Sequence, residues 1–146
     1  MVAGLATITP ASGSVGPAGA MLVGLSGGVI CYYATSYLKQ GLKIDDSLDV
    51  FPVHGVGGIV GTLLAGILVS GDLGVFSGNG LAEGVTIGSQ VAVQITGVVA
   101  TGVYTAILTF GLLKLVSVAT DGLRVDEETE QQGLDISDHD EKGYSM

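Results

Sequence analysis

The 146 residues carry 14 acidic and only five basic side chains, for a net charge of −9, and just 13% of them are charged. A soluble domain of this size devotes about a quarter of its residues to charge, so the composition argues against a water-solvated body. The few basic residues exclude a nucleic-acid-binding surface, and the single cysteine, Cys31, excludes a disulfide framework or a zinc cluster built on Cys pairs.

The charge is also unevenly placed. From Asp121 onward nine acidic residues face Arg124 and Lys142, a net of −7, whereas residues 1–120 hold five acidic and three basic residues, a net of −2. The chain therefore divides into a nearly uncharged apolar body, 1–120, and an acidic tail, 121–146. The 25 glycines are mixed with Val, Ile and Leu. That mixture suits close helix packing in a membrane better than a flexible soluble linker.

Taken in chain order, Val2–Ile8 is apolar and then meets Thr9-Pro10, where a helix is expected to end. Seven apolar residues cannot cross a bilayer, which takes about 20, so this element reads as a helix stub whose beginning lies upstream. The first Lys or Arg is Lys39, and no basic leader of a signal peptide is read. A first membrane span is expected over about 18–38, with a small-residue seam at Ala20, Gly24 and Gly28, and Cys31 as a buried structural thiol. A second is expected over about 50–70. A third, over about 88–118, is interrupted by charge only at Lys114, and its roughly 30 residues should tilt or extend beyond the bilayer. The tail opens with Gly122-Leu123-Arg124-Val125, and Asp126-Glu127-Glu128 suits the first turn of a short helix.

Basic residues set the expected orientation. Lys39 and Lys43 lie between the first two spans, Lys114 and Arg124 flank the end of the third, and the connection 71–87 has none. The Lys39–Lys43 connection and the C-terminus are therefore expected on the cytoplasmic side of a multi-pass protein in the cell membrane.

The second span contains the residue with chemical interest, His54, in Val50-Phe51-Pro52-Val53-His54-Gly55-Val56-Gly57-Gly58. A helix starting near Ile44 would place His54 about 15 Å along it, near the middle of a roughly 30 Å hydrocarbon core. An ionisable side chain at that depth faces a bundle interior or a pathway. On an α-helix Gly57, Gly58, Gly61 and Ala65 would share its side, so that this side either takes a neighbouring backbone or borders a narrow cavity. His139 belongs to the tail, so no metal site is expected from the two histidines. No nucleophile–base pair or phosphate loop is present in the sequence, and neither an enzyme nor a cofactor is expected.

These residues carry a family resemblance. Asp45-Asp46-Ser47-Leu48-Asp49-Val50-Phe51 running into Val53-His54-Gly55-Val56-Gly57-Gly58-Ile59 resembles the tenth transmembrane helix of ammonium transporters of the Amt/Mep/Rh family. Ala6-Thr7-Ile8-Thr9-Pro10-Ala11-Ser12-Gly13 resembles the end of the eighth helix, and Ala82-Glu83-Gly84-Val85-Thr86 the approach to the eleventh. Gly122–Val125, Glu127-Glu128, Gly133-Leu134-Asp135 and Tyr144 resemble the family's cytoplasmic tail.

The resemblance implies an all-α integral membrane protein: three transmembrane helices and a stub, as the C-terminal part of an eleven-helix ammonium transporter fold that assembles as a homotrimer. Ammonium is deprotonated and passed along an apolar pore between two histidines, and His54 matches the second of them. Val50 would line the pore one turn earlier. Arg124, Glu128 and Asp135 would dock the tail, in many prokaryotic members together with a PII-type signalling protein. The partner histidine, the aromatic gate and the recruitment Trp belong to helices that the resemblance places upstream. Three spans and a stub are therefore expected not to transport alone. A competing expectation is a non-transporting membrane subunit that joins full-length transporters.

Overall fold

A computed structural model describes residues 1–120, 122–141 and 143. The chain divides into two compact units, Met1–Thr101 and Gly102–Met146. In the first, α1 (Val2–Ile8) gives way to a 3-10 turn, Thr9–Ala11, at the expected Thr9-Pro10 stop. The helix α2 (Pro17–Ser36) starts with proline in its first turn, where the missing N–H is no loss. It runs on as a π-turn, Tyr37–Gly41, so this span covers Pro17–Gly41 and outlasts the expected 18–38. The second span, Phe51–Leu68, combines a π-turn, Phe51–Val56, with the helix α3 (Gly57–Leu68). The third is α4 (Ile87–Ala119), whose 33 residues bury no side chain and pass from the first unit into the second. The spans at Pro17–Gly41, Phe51–Leu68 and Ile87–Ala119 are each long and apolar enough to cross a membrane. Among the described residues the only β pairing is an isolated bridge, Val15 to Gly78.

The core of the first unit is made of small residues. Thr7 of α1 is fully buried and donates its hydroxyl to the Ala3 carbonyl at 2.8 Å, so its polarity is satisfied within its own helix. Side-chain carbon added at Gly27 of α2 or Gly61 of α3 would collide with Thr7, and at Gly57 it would sit 3.0 Å from the Thr7 hydroxyl. The three helices thus meet around one threonine because the facing positions have no Cβ. The α2–α3 contact is antiparallel, with Cys31 beside Gly57 at one end and Gly19 beside Leu68 at the other. Cys31 is buried, as expected.

The fully buried line in α2 lies one residue from the expected seam, and the expected seam also takes a close approach: a Cβ at Gly4 of α1 would sit 3.1 Å from the Gly24 carbonyl. The buried line is Gly19, Val23, Gly27 and Cys31, whereas Ala20, Gly24 and Gly28 line an open groove beside Gly4 and Leu5 of α1. Both lines repeat every four residues, so helical spacing alone could not choose between them.

The two ends of the α2–α3 pair are closed differently. At one end residues 12–16 and 70–80 are tied together: Gly16 N–H donates to Ser77 O, Asn79 N–H to Ser14 O, and the Asn79 side-chain amide to Gly13 O, while Gly80 N–H donates to Val69 O within its own segment. Gly78 lies in the middle, and a Cβ there would strike the Ser14 and Leu68 carbonyls. At the other end, charged residues 39–49 form the connection. In the second unit, the end of α4 is followed by α5 (Glu127–Gln132) and α6 (Leu134–Ser137).

Candidate conduction site

His54 is positioned by the turn that starts the second span. Residues 45–49 are not helical, and Asp49 takes a positive φ of 55°, a conformation that L-residues rarely adopt and that stops a helix. The expected start near Ile44 is thus corrected: the regular bonding begins at Phe51. Counted from Phe51, His54 lies only about 5 Å along the helix at 1.5 Å per residue, near its beginning and not its middle.

Three charged side chains build that start. The two carboxylate oxygens of Asp46 accept the Val50 and Phe51 N–H groups at 2.9 and 2.8 Å, satisfying donors that a helix start leaves bare. These bonds, Phe51 first and then Val50, hold the Asp46 carboxyl below its ordinary pKa of 3.8. Lys39, from the π-turn at the end of α2, pairs with Asp49 at 2.7 Å and joins the two ends of the connection. In the sequence these acids stand only as letters of the family motif, and the capping role of Asp46 emerges with the fold. An Asp four residues before the first helical amides was the available signal.

His54 and Val50 are both exposed on this chain, and the imidazole has no hydrogen-bond partner among the described residues. Gly57, Gly61 and Ala65 are buried against other helices. The expectation that they share the side of His54 fails. Pro52, not His54, continues their buried line, because the turn between is π-helical and takes an extra residue. The glycines serve packing and His54 points elsewhere. Behind this turn the Cys31 thiol lies 4.0 Å from the Val53 carbonyl. No group of three or more His, Cys, Asp or Glu side chains that could hold a metal ion occurs among the described residues.

In the tail, Asp126 caps α5 by accepting the Thr129 N–H at 2.8 Å, a bond that lowers its carboxyl pKa. Acidic residues fill the first turn, as the sequence suggested. Arg124 pairs with Glu130 at 3.0 Å, a partner that the sequence reading did not name. Glu128 and Asp135 are exposed. Tyr144 lies outside the described residues.

Helices able to cross a bilayer, packed through glycine and exposing large apolar side chains, define an all-α membrane protein. The model of the Ammonium Transporter Family matches residues 1–144. A putative ammonium transporter of Methanothermobacter thermautotrophicus is 45% identical over 146 residues, covering 99% of this chain and 35% of that protein. An ammonium transporter of Aquifex aeolicus is 44% identical over 150 residues, covering all of this chain and 33% of its own length. One from Mycobacterium tuberculosis is 44% identical, with 31% of its length covered. The chain belongs to the ammonium transporter family, and it spans about a third of the length of the curated relatives it matches.

Proposed function

We propose that the protein takes part in moving ammonium or ammonia across the cell membrane, with His54 on the conduction path and Val50 lining it one turn earlier. The observation that carries this reading is the exposure of His54 at the start of a membrane span, in a chain whose relatives are named ammonium transporters. The chemistry supports it. A bare ammonium ion in an apolar pore loses its hydration at a cost of many kcal/mol, whereas neutral ammonia costs far less. A neutral imidazole can hydrogen-bond the passing molecule and exchange a proton with it near neutral pH.

In the family's order of helices, this reading assigns the chain the end of the eighth helix through the eleventh and the tail, within a homotrimer. The support is the resemblance of the His54 segment and of residues 122–135. The basic residues favour a cytoplasmic Lys39–Lys43 connection and C-terminus. Arg124, Glu128 and Asp135, exposed around the capped α5, are the docking residues under this reading, with a PII-type protein as the partner class. Division at 120/121 would then separate a transport part from a regulatory one.

The test is chromosomal replacement of His54→Ala and measurement of labelled methylammonium uptake by nitrogen-limited cells. Uptake through the system containing this chain is expected to fall by about tenfold or more, equivalent to at least about 1.4 kcal/mol in the barrier. Unchanged uptake, with the variant present in the membrane at parental level, would remove His54 from the path.

A further inference from the structure

Two lines of residues run along the second span, and neither keeps α-helical spacing throughout. The buried line is Pro52, Gly57, Gly61, Ala65 and Leu68, whose first step is five residues and whose later steps are four, four and three. The exposed residues are Val50, Phe51, His54 and Ile59, and the last step, from His54 to Ile59, is five. Both five-residue steps fall across the π-turn Phe51–Val56. A π-turn closes with i→i+5 bonds, so it takes one residue more than an α-turn, and such turns are rare and concentrate at functional sites.

An uninterrupted α-helix would change what His54 meets. It lies three and seven positions before Gly57 and Gly61, which on an α-helix puts it on their face. That face is filled: a Cβ at Gly57 would touch the Thr7 hydroxyl at 3.0 Å and the Cys31 thiol at 3.3 Å, and one at Gly61 would strike the Thr7 carbonyl. Pro52 holds the alternative arrangement. Its ring is fully buried, and its place in the first turn means that no helical N–H is lost.

We propose that the π-turn is a register device, in which one residue beyond the α-helical count turns His54 off the packed face, and that Pro52 is the positioning residue that anchors it. The proposal rests on reading His54 as the working side chain, but the register can be tested without transport.

Deleting Val53 shortens the step from Pro52 to Gly57 to four residues and lets the segment close as an α-turn while the seam below stays in place. In a Cys31→Ser chain in liposomes, a nitroxide is attached at His54→Cys. Its collisions with oxygen, which enters lipid, and with a nickel chelate, which stays in water, are then measured. The label at 54 is expected to meet at least one of them in the parent, and to become immobile and lose both after the deletion. A label at Ile59→Cys should read the same in both chains. An immobile, unreachable label at 54 in the parent, or no change at 54 on deletion while 59 holds, would overturn the proposal. If the deletion disturbs 59, the parent decides. Collisions at 54 matching those at 59 and exceeding those at Gly58→Cys support the π register, and a label at 54 less reachable than one at 58 sinks it. Uptake by the His54→Ala variant separates the two ideas: a normal rate removes the transport role and leaves the collision data to judge the turn.

Discussion

Thr7 shows how much of this unit depends on what glycine lacks. Gly61 faces the Thr7 carbonyl and the Pro10 ring, whereas nothing lies within 4 Å of a Cβ at Gly58. Gly61→Ala therefore overpacks a filled contact and is expected to destabilise by about 1–3 kcal/mol. Gly58→Ala, three positions away, should be neutral or stabilise by up to about 1 kcal/mol through helix propensity. Thermal unfolding of both variants in detergent micelles checks the pair, and equal effects would contradict the packing described. The glycine content was legible in the sequence as close packing. Which glycines are fully buried was not, because the choice between Gly24 and Gly27 depends on where α1 lies across α2, and no local pattern in α2 encodes that.

At the scale of elements, the second span begins where charge permits. The run from Ile44 looked helical because its acids are compatible with a helix start. Asp46 instead spends both oxygens on the Val50 and Phe51 amides, and Asp49 turns to positive φ against Lys39. Because folding lowers the Asp46 pKa, its contribution is fully present above the ordinary value of 3.8. It is lost as the pH falls through the lower folded value. Hydrogen exchange should accordingly show the Phe51 amide protected at neutral pH and progressively less so in that acid window. Asp46→Ala should lose the protection at every pH, while Asp46→Asn, still an acceptor, keeps part of it. The π-turn that follows was beyond sequence reading for a related reason. A one-residue change of register appears only when the buried partners of Pro52 and Gly57 are both known.

Over the whole molecule, the coarse features were the most legible. Apolar runs read as spans at about 18–38, 50–70 and 88–118 are helical at Pro17–Gly41, Phe51–Leu68 and Ile87–Ala119. Hydropathy and length decide such segments with little help from tertiary contacts. At 1.5 Å per residue α4 is about 50 Å long, well beyond a roughly 30 Å core, so tilt or protrusion follows from its length. Its exposed residues include Val99, Ile107, Leu112 and Leu115. Such a surface needs lipid or other helices around it. The environment of His54 was the least legible feature, because its depth and its face both depend on the turn preceding α3.

The wedge at Gly78 has a practical consequence for mapping the molecule in living cells. Its amide donates to Ser70 O at 3.0 Å and its α-carbon is hemmed in by two backbone segments, at Ser14 and at Leu68-Val69. Gly84, six residues on, sits at φ +77° with nothing within 4 Å. A short epitope spliced after Gly84 should leave expression intact and, if the 71–87 connection faces outward, bind antibody on unbroken cells. The same epitope after Gly78 should pry residues 12–16 from 70–80 and send the protein to degradation. Immunoblotting and surface staining of the two insertions would show whether this connection is a replaceable tether or a fastened clasp.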